Sequence, residues 1–560
     1  MQYSEEDIKL RDHCEQRKSS MVKERTSFEP LWDDISQHVR PGSARIGITL
    51  QPSKGWRKDH SIIDPTATLA SRSLRSGMMA GLTSPARPWF KLTTPDPALA
   101  EHGAAKAWLY HVESTMRDAF TKSNLYQVLP MVYGDCGDFA TACMSCLEDD
   151  KTILRFNHYL VGQYFLAVND HNRVDTIYRV FPMTVRQVVQ KYGLKNCTSS
   201  VQSQFNAQQY ETEVEITHVI EPNTDADKFK VDNGNKPFRS LYYENNADYG
   251  LFLRKGGFDE FPNFAPRWDL YDDSCYGTAC PGIDSLGTNK ALQLSDKRET
   301  QAVDWWVRPH MLVDSSLQND YAGMHPGGHT YVPQLQQHNG ARALRETNPS
   351  IKEIDIKIQR YQEQIRRCYF EDMMQMLAQS DNPEMTAREI EERHAEKVLI
   401  LGPVMERMND ELFDPLIERS FGIMMRRGLI PPPPQSLQGQ QLKIEYTSIL
   451  AQAQKLLGTA NIEKVSAFVG SLAGMDQKAL DKFDVDEAID TYAEMHGINP
   501  NIIRSAEMVQ GLRDARAKQQ QAAMLQQMAK PMGDAAKGMK AMGDTNLDNI
   551  KEMAGMLQGQ

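Results

Sequence analysis

A seam of apolar side chains between Ser350 and Leu377 constrains this chain more than any other stretch of its sequence. Its members alternate spacings of three and four positions: Ile351, Ile354, Ile358, Tyr361, Ile365 and Cys368. That spacing places them all on one face of an α-helix. We predict one helix from Ser350 to Leu377, about 42 Å long at a rise of about 1.5 Å per residue. A helix of that length is long for a globular core.

Another helical arm lies earlier in the chain, so it is the first arm and the helix after Ser350 is the second. Residues Ile283–Trp306 favour helix, but most faces of that helix are polar, as expected if it packs beside copies of itself and also faces water. Between the arms, Arg308–Val313 and Thr330–Val332 have the pattern of short strands. Pro349 favours a loop before the second arm. The sequence therefore predicts a helix, a non-helical tip and a returning helix.

The segments before the arms divide into a helical part and a β-rich part. Helices are predicted over Glu5–Val39, over the start of the run Leu69–Leu92, and over Ala98–Lys122. From Ile153 to Asp269 short β runs predict a hairpin and further strands, with one helix near Thr184–Tyr192. The predicted strands are Tyr164–Val168, Arg173–Val180, Val214–Ile220, Phe238–Tyr243 and Gly250–Arg254.

The segments after the arms are predicted to be mainly helical. A capping box at Thr386 and Glu389 begins a helix that runs toward Arg427, with kinks or breaks at Pro403 and Pro415. A strand is expected at residues 442–446 and helix from 449 to about 520, before a tail rich in Met, Gln, Ala and Gly. The fold class predicted is α+β, mainly helical.

Composition excludes several classes of protein. The chain has 560 residues and a net charge of -11, from 63 basic and 74 acidic side chains, which argues against tight binding of nucleic acid. Eight scattered cysteines indicate reduced thiols. The N-terminus lacks the apolar core of a signal peptide, and no window approaches eighteen consecutive apolar residues. Insertion into a membrane is therefore not expected.

Candidate catalytic and metal sites are weak. Cys136, Cys143 and Cys146 would need a fourth ligand such as His158 to hold zinc, and buried structural thiols are the favoured interpretation. His394 lacks the second histidine of a zinc protease motif, because Val398 stands in its place. The phosphate-loop pattern is incomplete as well, since the lysine and hydroxyl pair is missing after Gly287. We predict no catalytic residues, no metal and no cofactor.

The run Leu69–Leu92, LASRSLRSGMMAGLTSPARPWFKL, carries a family resemblance. It resembles a block near the start of the portal, or head-to-tail connecting, proteins of short-tailed T7-like bacteriophages. The order of helical N-terminus, β-rich middle, helix–tip–helix and helical C-terminus agrees with that family to about residue 500. The resemblance implies a portal-type subunit with wing, long-helix stem, clip and crown, which assembles into a ring of typically twelve copies.

The resemblance also implies a division of the chain. The parts are a wing at residues 1–280, stem helices at 281–306 and 350–377, a clip at 307–349, a wing return with a tunnel loop and helix at 378–435, a crown at 436–510, and a barrel helix with a flexible tail at 511–560. Double-stranded DNA would pass through the ring, which implies a position at one capsid vertex of the virion after assembly in the cytoplasm of a bacterial host. The implied partners are terminase, scaffold or capsid protein, tail adaptor and internal core proteins.

Candidate functional residues follow by position. Three arginines are candidates to face DNA: Arg388, Arg426 and Arg427. Four residues at the base of the tip are candidates to bind partners: Trp305, Trp306, Arg308 and His310. Five residues are candidates for stem packing: Ile351, Ile354, Ile358, Tyr361 and Ile365. A charge placed in the stem seam by Ile358→Asp is expected to weaken ring assembly.

Two alternatives remain open on the sequence alone. One is another phage head or tail structural or adaptor protein, which would not need the long helix–tip–helix. The other is a metal-dependent hydrolase that uses the three clustered cysteines or His394. Stoichiometric zinc that is lost on Cys143→Ser would favour the hydrolase.

Overall fold

The computed structural model describes most of the chain and divides it into two compact units, Met1–Gly458 and Thr459–Gln560. The described residues are 4–46, 62–96, 103–226, 232–245, 251–314, 329–332, 341–343, 351–379, 400–448, 450–451 and scattered positions between 465 and 519. Helices and sheets are mixed, so the predicted α+β class is confirmed. In the second unit the longest described stretch is helical and covers residues 509–516.

Two helices, rather than the one predicted, form the N-terminus. Helix α1 spans Glu5–Thr26, and the Ser4 side chain caps it by accepting a hydrogen bond from the backbone N–H of Asp7. Helix α2 spans Glu29–His38 and carries a proline in its first turn. Because Pro30 has no N–H to donate, it suits the start of a new helix and not the interior of a longer one.

The run that carries the family resemblance folds as predicted, into a helix followed by a strand. Helix α3 spans Thr66–Leu82 and strand β1 spans Phe90–Thr93. Helix α4 follows at Gly103–Lys122. Helix α5, at Leu125–Phe139, was not predicted. It continues through Pro130 and is buried over most of its length.

Two antiparallel sheets form the β-rich region. Their strands are β2 (Cys143–Asp149), β3 (Ile153–Tyr159), β4 (Tyr164–Val168), β5 (Val174–Thr184), β6 (Glu213–Pro222), β7 (Phe238–Glu244), β8 (Arg254–Phe258) and β9 (Asn263–Phe264). The smaller sheet has the order β3-β2-β9, and the larger has five strands in the order β4-β5-β6-β7-β8. The predicted hairpin is present as β4 paired with β5, whereas the last predicted strand, β8, lies a few residues further along the chain.

Helices cover the larger sheet. Helix α1 packs on one face through Cys14 and Met21, which join a core cluster with Tyr178 and Val219. The predicted helix after β5 is confirmed as α6 (Val185–Tyr192). Its cap is a capping box, in which the side chains of Thr184 and Gln187 each accept a hydrogen bond from the other residue's backbone N–H. A short helix α7 (Ser199–Asn206) follows.

The two predicted arms are present as helices with strands between them. Helix α8 spans Pro281–Val307 and helix α9 spans Ile351–Cys368. The strands between them are β10 (Met311–Asp314), β11 (His329–Val332) and β12 (Ala341–Ala343). Strand β10 lies between the other two, parallel to β11 and antiparallel to β12. The helix–tip–helix order read from the sequence is therefore observed.

The second arm is not the single helix that was predicted. It breaks after Cys368, and helix α10 starts at Glu371 and ends at Gln379. Phe370 between them has a φ of 53°, in the left-handed region that a bulky side chain rarely adopts. Tyr369 is fully buried at the same point. Tertiary burial of Tyr369 has therefore overridden the helical pattern of the local sequence.

The last part of the first unit returns to the beginning of the chain. Residues 400–408 are helical, Asn409–Phe413 form a π-helical turn, and helix α11 spans Asp414–Arg426. The wide turn lies immediately before Pro415, which has no N–H for an ordinary helical bond, so the predicted disturbance at this proline is confirmed. Strand β13 (Lys443–Tyr446), also predicted, pairs antiparallel with β1. The predicted capping box at residues 386–389 lies outside the described residues.

Helix α3 lies at the centre of this unit, where small residues let other elements approach closely. A Cβ atom added at Gly77 would lie 2.5 Å from the Cβ of Met374 on α10. One added at Gly137 on α5 would lie 2.3 Å from a methyl group of Leu74. The lack of a side chain at Gly77 and Gly137 lets α10 and α5 pack directly against α3. The sequence run that carries the resemblance is therefore the packing centre of the subunit.

Candidate functional site

The outer half of α8 projects from the core and ends in exposed aromatic residues. The last buried residue of this helix is Gln293, so the fourteen residues that follow it, up to Val307, span about 21 Å at about 1.5 Å per residue without a buried side chain. Trp305 is 42% and Trp306 58% exposed. Exposed indoles are costly to hydrate and are common anchors of protein interfaces. This end of α8 therefore has the character of a binding surface.

The other two tip candidates differ in burial. Arg308 is exposed and directly follows the helix, where its backbone N–H donates to the carbonyl of Asp304 over 2.8 Å. His310 is buried, with 5% of its surface exposed. Arg308 is therefore exposed like Trp305 and Trp306, whereas His310 is not. Partner binding by these four residues remains a prediction.

The seam on α9 packs within the subunit. Ile358 and Ile365 are buried in the main core cluster, and Ile354 and Tyr361 are half-buried against it. Helix α9 packs beside α8 and α3. The side chain of Ile351 lies outside the described residues. The remaining faces of α9 are largely exposed, so a role of the seam in contacts between subunits remains a prediction.

The arginines proposed to face DNA have acidic neighbours in their own chain. Arg426 forms a bidentate pair with Glu260, with N···O distances of 2.5 and 3.0 Å. Arg427 donates to the carbonyl of Asp149 over 2.8 Å and pairs with Asp150 at 3.3 Å. Their positive charge is therefore largely compensated within the subunit. Arg388 lies outside the described residues, and contact of the three with DNA remains a prediction.

A buried polar cluster that the sequence did not reveal lies beside α5. Asp135 and Asp138, one helical turn apart, are both fully buried. Arg40 forms ion pairs with both carboxylates, and its Nη1 lies 3.2 Å from Asp138 Oδ2. His158 Nε2 lies 2.7 Å from Asp135 Oδ2. One arginine thus joins the end of α2 to two turns of a buried helix.

The same cluster reaches the break in the second arm. The Ser71 hydroxyl on α3 donates to Asp138 over 2.9 Å, and the Tyr369 hydroxyl donates to it over 3.1 Å. Burial raises the pKa of Asp138, and Arg40 and the two hydroxyl groups only partly offset this effect. Asp138 therefore ties Tyr369, the residue before the strained Phe370, to the centre of the subunit.

Asp135 shows the opposite electrostatic balance. Burial alone would raise the pKa of its carboxyl, but Arg40 and His158 outweigh burial and hold the pKa below its usual value. The cluster joins the end of α2, α3, α5, β3 and the break after α9, so it is suited to fixing the relative positions of these five elements. Its only signal in the sequence is a pair of acids inside an apolar run.

The three clustered cysteines are buried. Desolvation raises the pKa of Cys136 well above its usual value, raises that of Cys143, and raises that of Cys146 to about 12. His158, the fourth ligand considered, pairs with Asp135 instead. Among the described residues no group of three or more His, Cys, Asp or Glu side chains is arranged to hold a metal ion. His394 lies outside those residues.

Within the same part of the chain, no helix combines the length and apolar character needed to cross a membrane.

Comparison with known proteins agrees with this architecture. The family described as bacteriophage head to tail connecting protein matches residues 11–503. The portal protein of Salmonella phage epsilon15 is 43% identical over 527 residues, which cover 94% of each chain. The probable portal protein of Bordetella phage BPP-1 is 39% identical over 526 residues, again covering 94% of each chain. The chain therefore belongs to the bacteriophage head-to-tail connecting protein family.

Proposed function

We propose that this chain is the subunit of a phage portal, a ring at one capsid vertex through which double-stranded DNA enters and leaves the capsid. The observation that carries this proposal is the similarity to two portal proteins over nearly their whole length. A structural role also agrees with buried thiols whose pKa values are raised and with buried carboxyl groups that bond to other side chains of the chain. The ring is assembled in the bacterial cytoplasm and becomes part of the virion.

The architecture supports an assignment of parts. Helices α8 and α9 form the stem, and the three-stranded sheet β11-β10-β12 belongs to the clip. The helices and sheets of residues 1–280 form the wing, to which residues 378–435 return. Residues 436–510 form the crown, and residues 511–560 form the barrel helix and the tail. The projecting, largely polar outer half of α8 suits a stem that faces neighbouring copies and water.

Electron microscopy tests the ring directly. Negatively stained particles of the purified full-length chain are expected to be annular with a central channel, with about twelve copies in each ring. The same images test the leading alternative, because a tail tube or an adaptor would give stacked or irregular particles. Absence of annular particles from freshly purified, monodisperse protein would refute the proposal.

The exposed indoles suggest how a packaging motor docks. We infer that Trp305 and Trp306 anchor the terminase and later the tail adaptor at the clip. Because both side chains are about half exposed, a double alanine variant is expected to form normal rings. Its affinity for terminase should fall at least tenfold, in line with the loss of aromatic anchors. The control is Tyr271→Ala, which removes an exposed aromatic ring elsewhere. Equal affinity of the double variant and the control would contradict the assignment.

The two described arginine candidates are tested separately. Arg426→Ala and Arg427→Ala together should leave rings intact but lower the amount of DNA retained in filled particles. Unchanged retention would assign both arginines to the ion pairs seen within the subunit.

A further inference from the structure

Three positive side chains meet on one face of the five-stranded sheet, and no described Asp or Glu forms an ion pair with them. We call Arg179, Lys191 and Arg254 the cation patch. Within the part of the chain that the structure describes, none of them forms an ion pair, whereas most other buried or half-buried arginines do. In a chain of net charge -11, an uncompensated group of cations is unexpected.

The sheet register brings these cations together. Arg179 on β5 lies opposite His218 on β6, His218 lies opposite Tyr242 on β7, and Tyr242 lies opposite Arg254 on β8. Opposite residues point to the same face of a sheet, so the four form one row across four strands. Lys191 on α6 extends over this row, 5.2 Å from the centre of the Tyr242 ring. The patch is therefore built by the fold and not by one flexible loop.

The pKa shifts at the row agree with the lack of acidic partners among the described residues. Burial lowers the pKa of His218 far below its usual value, and Arg179, Lys191 and Arg254 lower it further. Burial also lowers the pKa of Lys191, and the two arginines add to this effect. Each of these contributions disfavours positive charge. The side chains remain close together at an energetic cost that an anionic partner would relieve.

Two polar atoms in the same place have no hydrogen-bond partner. The Nε of Arg179 and the hydroxyl oxygen of Tyr192 are buried and unsatisfied among the described residues. Buried donors without an acceptor are rare in folded proteins and usually have a specific explanation. These two atoms are themselves covered, so a partner's carboxylate would reach the exposed side chains of Lys191 and Arg254 beside them.

The aromatic rings beside the cation patch have no free face on which a nucleic-acid base could stack, which argues against bases as the ligand. The guanidinium of Arg179 covers Tyr159 at 4.0 Å and Phe181 at 4.2 Å from the ring centres. His218 and Tyr242 stack on each other at 3.8 Å. Binding of single-stranded nucleic acid uses free aromatic faces on which bases stack. Here those faces are occupied, and the patch offers positive charge and N–H donors instead.

The chain carries a complementary surface of its own. Asp410, Asp414 and Glu418 are spaced by four positions along the π-turn and α11, and we call them the acidic row. Burial raises the pKa of Asp414 and of Glu418, and in each case the preceding carboxylate of the row adds to the effect. The Tyr446 hydroxyl, which donates a hydrogen bond to Asp414, and Arg173 offset this only in part, and among the described residues no Lys or Arg forms an ion pair with the row.

Among the described residues no ion pair joins the cation patch to the acidic row, and the charges that shift the pKa values of one surface are not members of the other. Two separated, complementary surfaces on one chain are the requirement for a head-to-tail contact, which closes into a ring when its rotation divides a full turn.

We propose that the cation patch of one subunit binds the acidic row of the next copy of this chain, as one contact of a head-to-tail ring. This inference rests on the proposed ring and adds the identity of two of its contacting surfaces. Complementary charges of this kind fix the register between partners and suppress wrong pairings.

Charge reversal tests the pairing. One variant carries Lys191→Glu and Arg254→Glu, and the other carries Asp410→Lys and Glu418→Lys. All four side chains are exposed, so both variants are expected to keep the wild-type unfolding midpoint. Each variant alone should lose ring yield by about tenfold or more, because like charges then meet across the contact. A control with Lys106→Glu and Lys122→Glu, which are exposed on α4, should assemble as the wild type does.

Two rescues make the test specific. The variant that carries all four substitutions should form rings again, to within about twofold of the wild-type yield, because the pairing is restored with reversed signs. An equal mixture of the two single-surface variants should also form rings, and these should contain an even number of copies, because the two kinds must alternate. Normal assembly of either reversed variant alone would overturn the inference, and so would failure of both rescues. If the wild type itself forms no rings, the proposed function fails instead, so the two failures are distinguishable.

Discussion

The close approach of α3 and α10 gives a prediction whose sign can be worked out from the structure. At Gly77 an added Cβ would lie 2.5 Å from the Cβ and 2.6 Å from the Cα of Met374. The Cα belongs to the backbone, so the clash is not relieved by turning a side chain. Gly77→Ala therefore forces α10 away from α3 or bends one of the helices.

The magnitude follows from two opposing effects. Overpacking of a tight core costs about 1–3 kcal/mol, and contact with backbone atoms places this site near the upper end. Replacing glycine by alanine inside a helix returns about 1 kcal/mol through helix propensity. The net expectation for Gly77→Ala is a loss of about 2 kcal/mol in the free energy of unfolding.

The same substitution at Gly287 is the matched control. Gly287 lies inside α8 and is exposed, and a Cβ there would meet no atom within 4 Å. Only the propensity effect remains, so Gly287→Ala should stabilise the protein by about 1 kcal/mol. The two substitutions are chemically identical and are expected to have opposite signs.

Urea unfolding followed by far-ultraviolet circular dichroism measures both variants. Because the chain has two compact units, the midpoint of the main transition is compared, and not an extrapolated free energy. Gly77→Ala should lower the midpoint relative to wild type, and Gly287→Ala should raise it. A midpoint for Gly77→Ala at or above the wild-type value would show that α10 does not pack so closely on α3 that a side chain at position 77 is excluded.

Further predictions concern the buried cluster, the thiols and the stem. Asp135→Asn leaves Arg40 and His158 without their shared carboxylate and should destabilise the subunit by about 3–5 kcal/mol in the same urea assay; an unchanged midpoint would contradict the buried pairing. Burial raises the pKa of Cys14, Cys146 and Cys275 to about 12, so at pH 8 they are protonated and should react with iodoacetamide only after unfolding, as followed by mass spectrometry; rapid alkylation of the native protein would contradict this. Ile358→Asp places a charge at a position that is 6% exposed, and should reduce both ring yield in electron micrographs and the yield of folded subunit; full ring yield would show that this face is not packed.

Periodic elements could be predicted from the sequence because their pattern and their burial agree. Helix α3, helix α8 and the hairpin β4–β5 lie where apolar spacing and turn residues indicated. Helix α5 was missed for the opposite reason. Its residues are buried on nearly every side, so it has no polar face and no period, and Pro130 argues against helix in the local sequence. Only the surrounding core determines that this segment is helical.

A candidate site could be predicted from the sequence only where the place of its residues along one element was sufficient to indicate their exposure. The exposure of Trp305 and Trp306 follows from their place at the end of a projecting arm. The cation patch depends on a register that joins strands β5 to β8, and no local pattern encodes it. The break at Phe370 likewise depends on Asp138, which is 231 positions from the tyrosine that bonds to it. Long-range contacts of this kind leave no periodic trace in one sequence.

The pairing of β1 with β13 has a consequence for how the protein is made. The Thr447 side chain bonds to the carbonyl of Pro88, 359 positions earlier in the chain. At about 5–20 residues per second, a ribosome needs on the order of 20–70 s to synthesise the intervening residues. During that time strand β1, which carries Phe90 and Leu92, has no partner and presents an open edge, which is a site of aggregation. The yield of folded subunits should therefore depend on the supply of chaperones during synthesis, before any ring can form.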